Sequence, residues 1–203
     1  HHLATVLRLG VGELITLADG RGSAARATLT VAARRRVEVE VDAADFRPRP
    51  GRAVHVAFAA PRHNRAEWLF EHGTEVGIAV FWPMRTERTR PHGDRSERWQ
   101  KIVLAAAGQC DRDWLPEIRP ALELAEFLRQ PDLPSARYLG AAEGGPPRQS
   151  HGDAVLLVGP EGGFTDAEEA AILASGFERV CFGPHVLRTE TAALVGAAVL
   201  MQP

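Results

Sequence analysis

Between Ala154 and Met201 the chain twice repeats one order: a short apolar run, a glycine-bearing turn, and a helical stretch. The runs are Ala154 to Val158 and Arg179 to Phe182. Short apolar runs that alternate with helices are strands of a parallel sheet covered on both faces, because only such strands are apolar along their length. The two turns, Val158-Gly-Pro-Glu-Gly-Gly-Phe164 and Phe182-Gly-Pro-His-Val-Leu-Arg-Thr-Glu-Thr-Ala192, then lie at the C-terminal ends of those strands. Ligands of open α/β sheets bind at that edge.

Neither turn is built for a nucleoside phosphate. No Gly-Lys-Ser/Thr follows Gly163, the spacing is not Gly-x-Gly-x-x-Gly, and Glu161 would repel a pyrophosphate. The first turn suits a ligand that is neutral or cationic near Glu161. Thr165-Asp-Ala-Glu168 reads as a capping box that opens a helix, and Gly176 as its stop. In the second turn Thr189 reads as an N-cap, and Glu190 favours the positive helix end. Arg188 has the wrong sign for a helix N-terminus, and a residue placed against local preference suggests a task. From Ala192 to Met201 the helix is apolar almost all round, which predicts burial on every side, within the domain or against a second subunit.

Upstream, 11–17, 24–31 and 36–41 read as short strands, separated by Asp19-Gly-Arg-Gly22 and closed by Pro48-Arg-Pro-Gly51. Strands at this spacing suggest a small barrel. Arg34-Arg-Arg36 sits between two of them, either as a charged guard on an edge or as a contact to phosphate. A second, α/β domain follows. Its expected elements are a buried strand over 53–59, a helix over 64–77 with Trp68, Leu69 and Val76 on one face, and a strand over 78–82 ended by Pro83. Next come a helix over 94–109, a short strand over 117–122, a helix over 124–130, a strand over 138–142 and a loop over 140–152. The boundary is set at residues 57 and 58.

Charge is uneven along the chain. Residues 1–60 hold nine basic against six acidic residues, and residues 120–203 hold five against eleven, so an anionic partner would dock on the N-terminal part. Lys101 is the one lysine among 24 basic residues. Arginine suits phosphate recognition, although a chain also rich in Ala, Gly and Pro fits a genome-composition bias equally well. Cys110 and Cys181 have no metal or disulfide spacing, and the eight histidines are scattered, so no metal site is expected. No secretory pattern occurs and no apolar run reaches the ~20 residues of a membrane span, so a cytoplasmic location is expected. A first residue other than Met implies that some residues precede His1.

Six motifs in order resemble one family. Gly159-Pro-Glu-Gly-Gly163 with Leu187-Arg-Thr-Glu-Thr-Ala192 is similar to the RsmE family of the SPOUT superfamily. His1-His2-x3-Val6-Leu-Arg8, Thr74-Glu-Val-Gly77, Pro83 with Thr86-Glu-Arg88, Arg98-Trp-Gln-Lys-Ile102 and Ala107-Gly-Gln-Cys-Asp-Arg112 fall in the same order. Thr5, Arg62-His-Asn64, His72-Gly73 and His185 depart from the family pattern, several by losing a fixed positive charge.

The resemblance implies an α/β fold: a PUA-like β-barrel over 1–57, then a SPOUT domain over 58–203 whose parallel sheet is threaded into a trefoil knot. It implies a homodimer that uses S-adenosylmethionine to methylate N3 of a uridine in small-subunit (16S) ribosomal RNA. By residue match the methyl donor would be held by Leu157, Val158, Gly159, Pro160, Glu161 and Gly162 of the first turn. Phe182, Gly183, Pro184, Val186, Leu187 and Thr189 would hold it from the second. Arg188 is the expected catalytic donor and Glu190 a possible proton acceptor. Arg8, Arg65, Arg88 and Arg112 are the expected RNA contacts. Two alternatives stay open, a SPOUT enzyme acting on another RNA and a catalytically inactive RNA-binding module.

Overall fold

A computed structural model describes residues 9–33, 36–49, 51–61, 63–89, 93, 95–148 and 152–202. Arg8, Arg34, Arg35 and Arg62, together with Thr5 and the His1-His2 pair, lie outside the described residues. The chain forms two compact units, His1–Pro50 with Asp111–Trp114, and Gly51–Cys110 with Leu115–Pro203. The expected division at residue 57 is therefore corrected. It would cut strand β4 (Val54–Ala59), whose six buried residues belong wholly to the second unit.

In the first unit, β1 (Leu14–Ala18), β2 (Ser23–Ala33) and β3 (Arg36–Phe46) form an antiparallel sheet in the order β1-β2-β3. Where a small barrel was expected, the described residues form these three strands. Asp19 sets the first hairpin. Its Oδ1 accepts from the N–H groups of Arg21 (2.7 Å) and Ser23 (3.0 Å), and the Arg21 bond foremost holds its carboxyl below the ordinary value. Trp114, brought in by the 111–114 segment, meets Phe46 edge-on at 6.0 Å and donates from Nε1 to the Arg47 carbonyl at 2.9 Å.

The second unit is a seven-stranded parallel sheet in the order β10-β8-β9-β4-β5-β6, with β7 also beside β5. Its further strands are β5 (Val80–Arg85), β6 (Glu117–Ile118), β7 (Leu122–Glu123), β8 (Ala136–Gly145), β9 (Ala154–Val158) and β10 (Glu178–Val180). The helices are α1 (His63–Val76), α2 (Ser96–Gln109), α3 (Leu124–Phe127), α4 (Asp166–Ala174) and α5 (Thr189–Met201). Alternate residues of the central strands feed opposite cores. Val54, Val56 and Phe58 of β4 pack with Leu69 and Phe70 of α1 and with Ala193, Ala197 and Leu200 of α5. Ala57, with Leu157 of β9, packs with Phe127 of α3 and Ile172 of α4. This is the covered sheet expected from the apolar runs.

Four local expectations are corrected. Pro83 does not end its strand; it pairs with Phe58 inside β5. On the other side of β5, β6 pairs with Val80 and Phe81 and β7 with Met84 and Arg85, so proline stands at the gap, where no ladder donor is required. The expected 140–152 loop is strand as far as Gly145, because β8 pairs with both β9 and β10. In α1 the buried face is Ala66, Leu69, Phe70 and Thr74, while Trp68 and Val76 are exposed. Helix α5 buries Ala193, Gly196, Ala197 and Leu200, yet Val199 on its outer side is 42% exposed.

Helices α1 and α2 are joined through Glu67, which accepts from Arg98 (Nη2 at 2.7 Å) and Arg95 (3.2 Å). The Arg98 hydrogen bond is the first cause of a lowered Glu67 carboxyl. Among the described residues no helix is long and apolar enough to cross a membrane.

Candidate active site

Three neighbouring strands, β10, β8 and β9, end on the same side of the sheet, and the two turns leave from that edge. The first turn is held from several directions. The predicted capping box is present: Glu168 N–H donates to Thr165 Oγ1 at 3.3 Å, and Thr165 N–H donates to Glu168 Oε2 at 2.9 Å. At the far end of α4, Gly176 (φ 85°) donates to the Leu173 carbonyl at 3.0 Å, which is the predicted stop. Within the turn, Gly163 (φ 70°) donates back to the Pro160 carbonyl at 2.8 Å. Gly159 is glycine for a steric reason, since a Cβ there would stand 2.8 Å from the Phe164 ring.

The second turn runs without regular structure from Cys181 to Arg188. Arg188, not Thr189, is the N-cap of α5, and its side chain makes no capping bond. Thr189 is the first helical residue, and its hydroxyl donates to the Gly159 carbonyl at 2.7 Å, tying the second turn to the first. Thr189 is thus buried by a bond across the site instead of capping its own helix.

Between the turns lies a cleft of about 780 Å³. Of the residues expected to hold a ligand, Val158, Gly159, Pro160, Glu161, Phe182, Val186, Leu187 and Thr189 line it. Leu157 is fully buried in the core behind it, and Gly162, Gly183 and Pro184 stand outside the lining. Arg188 lines the cleft, and its side chain has no hydrogen-bond or ion-pair partner among the described residues. Glu190 does not line it: the side chain is 9% exposed, with Oε1 3.6 Å from Arg65 Nε.

The expected RNA contacts are distributed differently from the prediction. Arg65, in the first turn of α1, bonds Glu161 at 3.0 Å as well as facing Glu190. Arg88 donates from Nη1 to the carbonyls of Gly162 (2.7 Å) and Phe164 (3.2 Å), so it braces the first turn. Arg112 lies in the 111–114 segment that belongs to the first unit.

The wall supplied by β8, Leu139 to Glu143, is hidden in the sequence because Gly140 reads as the start of a loop. A parallel strand at 138–142 should itself present its C-terminal end to the site, and that signal was available. Electrostatically the cleft is mixed. Arg179 is neutralised by Glu169 at 2.8 Å and Glu161 is paired with Arg65 at 3.0 Å, which leaves Glu143 and Arg188 as its other charged residues. Among the described residues no group of three or more His, Cys, Asp or Glu side chains could hold a metal.

Comparison with known proteins bears on this geometry. An RNA methyltransferase domain model matches residues 48–201, and an RNA methyltransferase PUA domain model matches residues 1–42. Ribosomal RNA small subunit methyltransferase E of Synechocystis sp. is 35% identical, covering 98% of this chain and 69% of that protein. The chain belongs to the ribosomal RNA small subunit methyltransferase E family. The Mycobacterium tuberculosis member is 32% identical over 96% of this chain and 80% of its own length. The crystal structure of the Neisseria gonorrhoeae member, bound to S-adenosyl methionine, superposes with a TM-score of 0.89 at 31% identity, covering 97% of this chain and 86% of that one. As a member of this family the chain is an RNA methyltransferase with an α/β methyltransferase domain after a PUA domain.

Proposed function

We propose that this protein uses S-adenosylmethionine to methylate N3 of a uridine in 16S ribosomal RNA. The observation that carries the reading is the cleft itself: two backbone turns at the ends of parallel strands, with the Arg188 guanidinium on the wall unpartnered among the described residues, in a chain whose Neisseria relative is solved with that compound bound.

The residues present fit such a ligand. The walls are main chain and apolar side chains, and Val186, on the lining, is 84% exposed, an apolar surface that an adenine would cover. Glu143 favours a cationic ligand, and no Lys-Ser/Thr cradle awaits phosphate. Val158, Gly159, Pro160, Glu161, Phe182, Val186, Leu187 and Thr189 would hold it, joined by the β8 residues 139–143. When bound, the compound supplies a methyl group on a sulfonium, an electrophile that needs no metal.

N3 of uridine is a weakly acidic imide nitrogen between two carbonyls. As its proton leaves to solvent water, charge spreads onto both oxygens, and N3 would take the methyl group as the sulfonium becomes a neutral thioether. Arg188 is the group placed to meet that charge, as a donor that no other side chain engages among the described residues. Holding the base against the cleft supplies the remainder through orientation. Glu190 stands behind the wall, so the expected role of proton acceptor is not carried into this reading. The trefoil knot, the homodimer and a cytoplasmic location belong to the proposal, as does small-subunit RNA as partner. The outer side of α5, with Val199 bare, is a surface a second copy would cover.

Mass mapping of ribosomal RNA from a deletion strain, with and without complementation, tests the reading. A single uridine losing a methyl group at N3 and regaining it on complementation is the expected result. A lost mark on transfer RNA, or on another atom, would overturn the substrate. Calorimetry with S-adenosylmethionine tests the enzyme itself, since an inactive binding module would take up none.

A further inference from the structure

Two of the helices that begin beside the first turn, α5 and α1, carry an arginine where the helix end is already positive. Arg188 is the N-cap of α5, and Arg65 lies in the first turn of α1, which contains no acidic residue. Arg188 faces the cleft; Arg65 faces two carboxylates. Its Nη1 is 3.0 Å from Glu161 Oε1 on the first turn, and its Nε is 3.6 Å from Glu190 Oε1 on α5. The Glu190 side chain is nine-tenths buried, and its Oε2 has no hydrogen-bond partner among the described residues. A buried carboxylate left half unsatisfied is costly unless a cation stands beside it.

The surroundings of Glu190 leave that task to Arg65. Of the strands packed on α5, β9 has no ionisable side chain, and His55 of β4 is engaged with Trp82 Nε1 at 3.4 Å. On β8, Arg137 donates to the Pro134 and Ser175 carbonyls, Tyr138 donates to the Arg148 carbonyl, and Glu143 lines the cleft. On α1, Glu67 is taken by Arg95 and Arg98. Glu161 shares the same guanidinium, and Arg188, next to Glu190 in sequence, lines the cleft.

We propose that Arg65 is a positioning residue, a shared cation that fastens the first turn to α5 through Glu161 and Glu190 and so fixes where Arg188 stands. This rests on the methyltransferase reading above and replaces the expectation that Arg65 is an RNA contact. Through Glu161 it holds one wall of the cleft; through Glu190 it holds the helix whose first residues form the other. The Thr189 bond to Gly159 closes the same junction from the cleft side.

The test compares Arg65→Ala, Arg65→Lys, Glu190→Gln and the Arg65→Ala/Glu190→Gln double variant. The first readout is the thermal midpoint of the protein without S-adenosylmethionine. Removing either partner leaves the other buried and unpaired, so the two single losses should not add. The double variant should melt no lower than Arg65→Ala alone. Lysine, which keeps the charge, should recover more than half of the Arg65→Ala deficit. Calorimetry should show S-adenosylmethionine binding weakened about tenfold in Arg65→Ala, the size of one lost charged hydrogen bond.

Single deficits that add in full in the double variant, or a lysine variant no better than alanine, would overturn the proposal. If Arg65→Ala does not fold, the double variant should restore folding, and its failure to do so overturns the proposal equally. The thermal arm contains neither RNA nor methyl donor. A wild-type protein that bound no S-adenosylmethionine would defeat the functional reading while leaving the thermal comparison to decide the role of Arg65.

Discussion

The two turns share one cleft but are made in opposite ways. The first, Val158 to Phe164, is secured by its own hydrogen bond, by the α4 capping box, by Arg88 on two of its carbonyls and by Arg65 on Glu161. The second, Phe182 to Arg188, has an exposed Val186, an exposed His185 and few ties of its own, chiefly the Thr189 bond at its end. The difference teaches which half of the site is preorganised. One wall stands before any ligand arrives; the other has its apolar surface in water and gains burial when a ligand covers it.

The largest effect should come from Arg188, the one side chain of the second turn that the reading gives to chemistry. Arg188→Ala should lower the single-turnover methyl-transfer constant by about 100- to 1,000-fold, with S-adenosylmethionine affinity within about threefold of wild type. Undiminished transfer at saturating donor would remove it from the reaction. Next is the bond that joins the turns. Thr189→Val leaves the Gly159 carbonyl without its donor, and calorimetry should show about tenfold weaker binding of the methyl donor.

Arg88 separates bracing from RNA contact. Arg88→Ala should weaken S-adenosylmethionine binding by about fivefold while the salt dependence of RNA binding keeps its slope. A shallower slope with intact donor binding would return Arg88 to the RNA surface. Hydrogen exchange, which alters no residue, tests the contrast most directly. Amides of 159–164 should exchange hydrogen slowly in the free protein, and those of 182–187 should slow by about tenfold or more only when S-adenosylmethionine is added. Equal protection in both turns without ligand would break the comparison.

Much of the fold was legible because local signals and burial agreed. The apolar runs at 54–59 and 154–158 are the two central strands, and the Thr165 capping box with Gly176 marks α4 at both ends. What failed needed a neighbour to be known. Pro83 reads as a breaker until the gap between β6 and β7 is seen, and Gly140 reads as loop until β9 and β10 pair with its strand. Thr189 looks like a cap in isolation because its partner, the Gly159 carbonyl, is thirty residues away.

The site divides along the same line. Most of the two turns was predictable as cleft wall, since glycine-bearing turns at strand ends have few other uses. The arginines were not. A guanidinium on a surface reads as a phosphate contact, and only distances reveal that Arg65 and Arg88 are spent on the protein's own carboxylates and carbonyls. The wrong sign of Arg65 at a helix start was the one available clue, the same that singled out Arg188.

Gly196 carries a consequence for how this enzyme tolerates change. A methyl group there would run into Leu156 and Phe182, so α5 lies against the sheet at van der Waals limit. Thr189 is on the same rigid rod, about 10 Å nearer its start. A swelling at one end of a lever moves the other. Substitution at this position, which carries no reacting group, should impair methylation through misalignment, and a survey of inactivating variants would reveal it as a hidden part of the machinery.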